Sequence, residues 1–251
     1  MLYDKFENRT IIKGELTTVD PIHIGASGKE TLNPIDVDDN VLKDAQGNPL
    51  IPGSSIKGVV RSRFEAVMRS SGEDVCDVFA QKSENELICV TDQFKKKIEK
   101  SQKTHQEKAK ELYEKSCVVC QLFGGKAVAG KLRFMDCFYI GEHPCEIERR
   151  DGIGIDRETG AVKKNAKYDF EIVPKGTRFS FVMIAENLDE KQQRYLDFIL
   201  QMLEGDEQEE NYLAVGGKTT RGLGRIRLEN TKREYITASA LKQQMKERFG
   251  I

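Results

Sequence analysis

The chain contains 251 residues, and its 40 lysines and arginines against 41 aspartates and glutamates give a formal net charge of −1. Its 38% hydrophobic content excludes disorder throughout, and the balanced charge argues against a general polyanion binder, so a nucleic-acid ligand would need basic residues gathered locally. The chain lacks an apolar run of about 18 residues and an N-terminal signal peptide. We therefore expect a cytoplasmic protein without a membrane partner.

The first predicted strand covers residues 10–19, which alternate in polarity and are rich in β-branched side chains. Residues 27–50 contain many Gly, Asn, Asp and Pro residues without a sustained period, which predicts a long irregular loop. The aspartates of this loop are Asp36, Asp38, Asp39 and Asp44. Clustered carboxylates can hold Mg²⁺ beside a phosphodiester, but aspartates also form turns, and the sequence leaves both interpretations open.

A helix is predicted at residues 54–70, after a Pro-Gly break. Ser54 or Ser55 is expected to cap its start, and its apolar side chains recur at helical spacing, so one face belongs to the core. Lys57 and Arg61 share the neighbouring face, close to a helix start that favours anions. This arrangement suits a phosphate group, although an amphipathic helix with a solvated basic side would show the same pattern.

Between residues 71 and 116 the hydrophobic pattern weakens, and residues 92–115 predict an exposed charged helix inserted into the fold. Cysteines flank this helix, and one pair has the C-x-x-C spacing that lets two thiolates share a metal. The predicted ligands of a structural zinc ion are Cys76, Cys89, Cys117 and Cys120, with His105 as the competing fourth ligand. Redox chemistry and buried free thiols are the alternatives. Cys137 alternates within a predicted strand and is expected in the core.

The strand pattern returns at residues 131–140, and residues 149–173 predict extended arms around a glycine-containing turn, as in a protruding hairpin. An alternating strand at residues 177–185 leads into an apolar-faced helix, a glycine-rich loop, the short strand 226–228 and a C-terminal helix. This order predicts an α+β fold with helices on one face of an antiparallel sheet. A ferredoxin-like or RRM-like core fits it best.

The glycine-rich loop at residues 216–225 contains four glycines, with Lys218, Arg221 and Arg225 between them. Glycine lets a ligand approach the backbone closely, and the cations neutralise phosphate. The loop is not a Walker A motif, because the required glycine spacing is missing and a strand follows where a helix should begin. A glycine-rich β-turn with solvated charges is the alternative.

Six short motifs follow one another along the chain. They are His23-Ile-Gly25, Val41-Leu-Lys-Asp44, Ile51-Pro-Gly-Ser-Ser-Ile-Lys-Gly58, Cys120-Gln-Leu-Phe-Gly124, Arg150-Asp-Gly-Ile-Gly-Ile-Asp-Arg157 and Gly216-Gly-Lys-Thr-Thr-Arg-Gly-Leu-Gly-Arg225. Each motif is weak alone. Together, and in this order, they make the chain resemble the RAMP-superfamily backbone subunits of type III CRISPR effector complexes over almost its whole length.

The resemblance implies a single RRM-like palm over residues 1–251, with a zinc-containing insertion at residues 71–124 and a β-hairpin thumb at residues 148–170. In the family, copies stack into a helical filament along a CRISPR RNA, and each thumb kinks the duplex of guide and target at regular intervals. The implied partners are therefore CRISPR RNA, complementary target RNA, further copies of the chain and other subunits of an effector complex.

The resemblance also implies which residues contact RNA. Lys57 and Arg61 match family positions that hold the guide backbone, and the glycine-rich loop with Arg221 lies against the guide. The full set expected to bind RNA is His23, Ser54, Ser55, Lys57, Arg61, Arg150, Lys218 and Arg221.

Family subunits often cut target RNA with a loop aspartate and a divalent metal, and the distance from Asp44 maps that aspartate to Asp38. Asp36 and Asp39 are close enough to compete for this role. The expected cofactors are a structural zinc ion and, for cleavage, Mg²⁺ or Mn²⁺. Two other functions stay open: a structural backbone subunit without an active site, and a stand-alone endoribonuclease that processes CRISPR precursor RNA with His23 as its acid–base candidate.

Overall fold

The computed structural model describes residues 4–26, 39–77, 88–208 and 210–250, apart from the side chains of residues 164 and 165. In chain order its elements are β1 (Asn8–Thr18), β2 (Leu50–Ile51), α1 (Gly53–Ser70), α2 (Asp92–Lys100), α3 (His105–Lys115), α4 (Val118–Phe123), β3 (Leu132–Phe134), β4 (Cys137–Phe138), β5 (Glu148–Ile155), β6 (Val162–Ile172), β7 (Arg178–Glu186), α5 (Glu190–Glu204), β8 (Leu213–Ala214), β9 (Arg225–Thr237) and α6 (Ala238–Phe249). A 3₁₀ turn at Thr219–Arg221 precedes β9.

A five-stranded antiparallel sheet in the order β3-β7-β1-β9-β8 forms the centre of the fold. In β7 the buried residues Phe179, Phe181 and Met183 alternate with half-buried ones, so one face of the sheet lies against the core. β1 contributes Ile12 and Leu16 to the same core. Burying each large apolar side chain contributes about 1.5–3 kcal/mol, and a register shift by one residue would expose all of them.

Two helices supply much of the remaining core. α1 buries Ile56, Val60 and Phe64 at intervals of four residues, as the apolar spacing predicts. α5 begins with a capping box in which the Asp189 side chain accepts from the Gln192 backbone and the Gln192 side chain accepts in return. The predicted combination of α-helices with an antiparallel sheet is confirmed.

The start of α1 corrects one prediction. Pro52 occupies the capping position without a side-chain hydrogen bond, so neither Ser54 nor Ser55 caps the helix. Instead, the backbone N–H of Gly53 donates to the Asp136 carboxylate at 2.8 Å. A carboxylate from a distant segment therefore occupies this end of the helix, where the helix dipole favours negative charge.

The helix predicted at residues 92–115 is two helices, because the chain breaks at residues 101–104 between α2 and α3. Thr104 and Glu107 form a capping box that starts α3, a T-x-x-E signal hidden among the surrounding charges. Ile98 is the buried residue of α2, and the residues of α3 are all at least partly exposed. These two helices therefore gain little from hydrophobic burial.

Two strands of the second half also differ from the prediction. Residues 131–140 are divided between β3, which pairs with β7, and β4, which pairs with β2. β9 continues to Thr237, beyond the predicted end at residue 228, because it pairs with β1 despite its exposed charged residues. The pairing of β1 with β9 is interrupted by a bulge at Gly14. A side chain at this position would place its Cβ atom 2.9 Å from the carbonyl oxygen of Glu229.

β5 and β6 form a separate two-stranded antiparallel sheet within the segment for which a hairpin is predicted. Its turn is held by Asp156, whose carboxylate accepts from the backbone N–H groups of Glu158 and Thr159. Ile153 and Ile155, close to this turn, expose 52% and 62% of their surface. Within the described part of the chain, the helices are too short or too polar to cross a membrane.

Candidate nucleic-acid interface and metal centre

Four distant segments of the chain meet around Asp39. The group, here named the loop-end cluster, consists of His23, Asp39, Phe170, Glu171 and Lys218. His23 follows β1, and Asp39 is the first described residue after residues 27–38 of the predicted loop. Phe170 and Glu171 belong to β6, and Lys218 belongs to the glycine-rich loop. The carboxylate Oδ2 of Asp39 lies 3.0 Å from His23 Nε2 and 2.5 Å from Lys218 Nζ.

His23 is fixed on both sides of its ring. Its Nδ1 lies 2.7 Å from the carbonyl oxygen of Glu171, and its Nε2 faces Asp39. The ring also packs edge-on against Phe170, and only 3% of the residue is exposed. His23 is therefore a buried residue that connects Asp39 with β6.

Asp39 is stabilised as a carboxylate. Burial by itself raises the pKa of Asp39, but the hydrogen bond from Lys218 and the charge of His23 outweigh that effect and leave the pKa below its usual value. The side chain of Asp39 is 41% exposed, whereas that of Lys218 is 15% exposed. The ammonium of Lys218 also lies 4.6 Å from the centre of the Phe170 ring, a cation–π contact.

The glycines bring the glycine-rich loop against His23. Gly216 has a φ of +87°, and a Cβ atom there would lie 2.2 Å from the His23 carbonyl oxygen. The next residue, Gly217, donates its N–H to the same oxygen at 2.8 Å. Lys218 follows with a φ of +60°, which turns the chain into the 3₁₀ turn. Glycine is thus required at position 216, both for its backbone conformation and for the close approach.

Arg221 extends the site along the base of the hairpin. Its guanidinium donates to the hydroxyl of Tyr168, and the Tyr168 ring stacks on Phe170 with 6.1 Å between centroids. Arg221 is exposed at the end of the 3₁₀ turn. The structure therefore brings together three of the predicted RNA-binding residues, since His23, Lys218 and Arg221 all contact the same part of β6.

Residues 27–38 are outside the described part of the chain, and both Asp36 and Asp38 fall within them. The residues that flank this segment lie side by side. Ala26 donates its N–H to the carbonyl oxygen of Asn40 at 2.9 Å, and Glu171 donates its N–H to that of Asp39 at 3.0 Å. The predicted catalytic loop therefore starts and ends beside the loop-end cluster.

Two other acidic residues in this region have structural contacts. The Asp44 carboxylate accepts from the backbone N–H groups of Gln46 and Asn48, as expected for an aspartate that forms its own turn. The Glu171 carboxylate accepts from the backbone N–H of Val41 at 3.0 Å and from Lys43 Nζ at the same distance. These contacts hold the chain that follows the catalytic loop.

The predicted RNA-binding residues of α1 lie on another element. Ser54 is exposed and Ser55 half-buried in the first turn, followed by Lys57, whose pKa is lowered by burial and by the charge of Arg61. Arg61 donates to Glu65 and to backbone and sulfur atoms of the cysteine region, so its guanidinium is already surrounded by acceptors. On the hairpin, Arg150 is 46% exposed and lies 4.0 Å from Glu148.

The four predicted zinc ligands form one group, here named the cysteine group. Their sulfur atoms all lie within 4.8 Å of one another, with 3.3 Å between Cys76 and Cys120 and 3.7 Å between Cys117 and Cys76. A tetrahedral ion with Zn–S bonds of about 2.3 Å separates its sulfurs by about 3.8 Å. Cys89 completes the group, which could therefore hold a metal ion with sulfur ligands alone.

The thiols of the cysteine group favour a cation between them. Hydrogen bonds from Cys120 and Cys76 lower the pKa of Cys117 far below its usual value. Hydrogen bonding to Cys117 in turn raises the pKa values of Cys76 and Cys120. One thiolate is thus stabilised by neighbours that keep their protons, and all four can ionise together when a metal cation balances their charge.

The remaining candidates lie elsewhere. His105, the competing ligand, begins α3 and lines a pocket with Asp4 and Lys5 instead of joining the cysteine group. Cys137 is fully buried in the core, as predicted, and burial raises its pKa to about 12. Cys145 is half-buried beside the core, and its backbone N–H donates to Asn48.

Sequence reasoning missed several residues of these sites. Phe170, Glu171 and Tyr168 read as ordinary members of a strand, and no local signal distinguishes them. Glu65 and Arg69 continue the i, i+4 spacing of Arg61 and could have been found from that spacing.

Comparison with known proteins identifies the family of the chain. The chain is 26% identical over 236 residues to the CRISPR system Cms endoribonuclease Csm3 of Methanocaldococcus jannaschii, covering 90% of this chain and 81% of that protein. The pattern of the RAMP superfamily matches residues 15–227, a span that includes the loop-end cluster and the cysteine group. The resemblance seen in the sequence motifs is thereby confirmed, and the chain belongs to the RAMP superfamily.

Proposed function

We propose that this chain is a backbone subunit of a CRISPR effector complex, which binds CRISPR RNA, holds complementary target RNA and cleaves it with a divalent metal. Copies of the chain assemble as a filament along the guide, with other subunits, in the cytoplasm. Family membership and similarity to an endoribonuclease of a CRISPR system support this proposal. The observation that carries it is the loop-end cluster. There the residues that flank residues 27–38 lie beside the cationic glycine-rich loop and the hairpin.

The fold proposed for the RNA-binding core is an RRM-like or ferredoxin-like palm within a single domain. Its support is the chain order β1, α1, β3, β7, α5, β9, together with the sheet order β3-β7-β1-β9. The hairpin of β5 and β6 is assigned the role of the thumb at residues 148–170. Its exposed apolar residues near the turn offer a surface on which unstacked bases can pack.

The guide contacts are assigned mainly to exposed cations. A phosphate beside Lys57 would offset the repulsion by Arg61 that lowers the pKa of Lys57, and Ser54 and Ser55 can donate to the same group. Arg221 and Arg150 are assigned the guide contacts at the hairpin. His23 and Lys218 shape the site through Asp39 and present little surface of their own.

Target cleavage is assigned to Asp38, which precedes the first described residue after the loop. Mg²⁺ or Mn²⁺, when bound there, would polarise the scissile phosphate. Asp39 is a poorer candidate, because its carboxylate already pairs with Lys218 and contacts His23. His23 is equally unsuited to precursor processing, because it would first have to give up its contacts with Asp39 and Glu171.

A structural zinc ion is proposed for the cysteine group, within the insertion at residues 71–124. Four thiolate ligands fill a tetrahedral zinc site and leave no position open for a substrate. The surrounding helices α2 and α3 bury little apolar surface, so they need a stabilising centre of another kind. The metal would supply it.

Cleavage of a labelled target RNA by the complex reconstituted with its guide tests the catalytic assignment. We expect Asp38→Asn to slow cleavage by roughly 100-fold or more without weakening guide binding, because the change removes a metal ligand and little else. EDTA should abolish cleavage, and added Mg²⁺ or Mn²⁺ should restore it. Asp36→Asn is the matched control in the same loop.

Unchanged cleavage by the Asp38→Asn complex would contradict the assignment, and loss confined to Asp36→Asn would move it to that residue. Cleavage that persists in EDTA would contradict the metal-dependent reaction. If the unmodified complex binds guide and target but does not cut, the cleavage proposal fails and only the role of a structural backbone subunit remains.

A further inference from the structure

One face of α1 carries three charged residues spaced four apart, Arg61, Glu65 and Arg69, here named the arginine ladder. Glu65 joins the two arginines. Its Oε1 accepts from Arg61 Nε at 2.8 Å, and its Oε2 lies 3.7 Å from a terminal nitrogen of Arg69. The carboxylate therefore holds both guanidinium groups in fixed directions along the helix.

The ladder contacts both halves of the cysteine group. Arg61 donates through Nη1 to the carbonyl oxygen of Gly124 at 2.8 Å, and its Nη2 lies 4.0 Å from the sulfur of Cys120. Arg69 donates through Nη2 to the carbonyl oxygen of Cys76 at 3.3 Å. One contact reaches the C-x-x-C segment and the other reaches Cys76, near the start of the insertion.

The backbone after Cys120 is shaped for these contacts. Gly124 ends α4 with a φ of +92°, and its carbonyl oxygen accepts from Arg61. A Cβ atom at Gly125 would lie 2.8 Å from the sulfur of Cys120, so the chain passes directly over this ligand. Gly124 and Gly125 thus allow a backbone conformation in which the Cys120 sulfur and the Gly124 carbonyl oxygen both face the guanidinium of Arg61.

The charges explain why a guanidinium belongs at this position. Four thiolates around one divalent cation carry a net charge of −2, and cations that donate hydrogen bonds to the sulfurs stabilise such a centre. The side chain of Arg61 is only 17% exposed, so its interactions are screened less than those of a surface arginine. Burial would lower the pKa of Arg61, but Glu65 and then Cys120 more than offset that effect.

We infer that Arg61 is a positioning residue of the metal centre, which orients Cys120 and balances thiolate charge, while Arg69 fixes the segment of Cys76. The inference rests on the proposal that the cysteine group holds a metal and is independent of the RNA-cleavage proposal. It divides the basic face of α1 into two parts: Lys57 is available to phosphate, whereas Arg61 serves the metal centre that lies beneath the helix.

Release of Zn²⁺ from the full-length, zinc-loaded chain to an excess of chromogenic chelator tests this role. We expect Arg61→Gln to release zinc about 10- to 100-fold faster than the unmodified chain, the range typical when a residue that supports metal ligands is lost. Arg61→Lys keeps the charge but loses the fork-shaped donor, so its release rate should be intermediate. Arg63→Gln, at an exposed position of the same helix, is the matched control and should be unchanged.

The Co²⁺-loaded chain supplies a spectroscopic readout of the same contact. Loss of an N–H donor to a coordinating sulfur should move the thiolate-to-cobalt charge-transfer band of Arg61→Gln to longer wavelength. Glu65→Gln, which keeps both arginines but removes their anchor, should shift the band in the same direction and secures the test if Arg61→Gln folds poorly.

Release rates within about twofold of the unmodified chain, with an unchanged cobalt band, in folded Arg61→Gln or Glu65→Gln would overturn the inference. An unmodified chain that takes up neither Zn²⁺ nor Co²⁺ would overturn it as well. Both readouts are made without RNA, so failure of the cleavage proposal would leave them unaffected.

Discussion

The loop-end cluster and the cysteine group are both assembled from distant segments, but they balance their charges differently. In the loop-end cluster the carboxylate of Asp39 pairs with the ammonium of Lys218, so the protein supplies both signs of charge itself. In the cysteine group four thiols face one another, and Arg61 Nη2 lies 4.0 Å from the sulfur of one of them, Cys120. The first site pairs its charges within the protein, whereas the second is proposed to pair them with a metal ion.

The two sites also differ in how much buried apolar surface surrounds them. The loop-end cluster lies next to the hydrophobic core, where an isolated bridge joins the buried residues Ile22 and Val173. The cysteine group adjoins α2 and α3, which bury little. Hydrophobic packing can therefore support charged side chains at the first site, while the metal ion proposed for the second would stabilise it by ligation.

The largest expected effect comes from removing a metal ligand. Cys117→Ser should reduce bound metal from about one equivalent to almost none, because a tetrahedral site with three ligands holds its ion far more weakly. The insertion should then lose hydrogen-exchange protection in α2 and α3, while β1 and β7 stay protected. Metal analysis together with hydrogen exchange measures both effects.

Cys145→Ser is the matched control, because Cys145 is half-buried but lies outside the cysteine group. A Cys117→Ser chain that keeps one equivalent of metal would mean that the cysteines are ordinary packed thiols, and the contrast between the two sites would disappear.

An intermediate effect is expected from changing the glycine-rich loop. Gly216→Ala should lower the free energy of unfolding by roughly 3 kcal/mol, because alanine at φ +87° is strained and its Cβ would meet the His23 carbonyl oxygen at 2.2 Å. At Gly217 a Cβ would find its nearest atom at 3.5 Å, so Gly217→Ala is the matched control. Urea unfolding of both variants measures the difference, and equal stabilities would show that the loop is not held against His23.

The smallest effect concerns the charge of Asp39. Asp39→Asn should cost about 0.5–1 kcal/mol at pH 7, a modest amount because the side chain is partly exposed and therefore screened by solvent. The folded-state pKa of Asp39 is below the usual value of 3.8, so this stabilisation is present above that value and is lost as the pH falls through the folded-state pKa.

The difference in unfolding free energy between the unmodified chain and Asp39→Asn should therefore shrink between pH 5 and pH 2. Glu158→Gln, at the exposed hairpin turn, controls for the general effect of removing one negative charge. A difference that grows toward acid pH would contradict the assigned direction of the pKa shift.

The sequence was most informative where structure depends on local periodicity. α1 and β7 follow directly from the spacing of their apolar residues, and the cysteine spacing correctly predicts which four sulfurs come together. Local patterns failed where a distant partner decides the outcome. Asp136 replaces the predicted serine cap of α1, and β1 draws β9 into a strand much longer than its apolar residues suggest.

The loop-end cluster was only partly predictable for the same reason. His23 and Lys218 belong to recognisable motifs. Phe170 and Glu171 enter the site because β6, the strand that contains them, contacts His23 and Lys218, and no spacing in the sequence reveals that contact. Arg61 illustrates a different limit. Its position in the sequence correctly indicates a basic helical face, but only the fold shows that the sulfur and carbonyl acceptors of another segment already surround it.

The length of β9 has a consequence for solubility. Its second half covers the side of β1 from Asn8 to Lys13, and this half lies beyond residue 227, where the family pattern ends. Among the described strands, β8 pairs only with Arg225 and Ile226, so most of the outer margin of β9 has no described strand partner. Lys232, Arg233 and Glu234 lie along that margin, and charged side chains on an unpaired strand oppose the addition of a foreign strand. The second half of β9 thus covers one side of β1 and carries charges that disfavour edge-to-edge association of sheets.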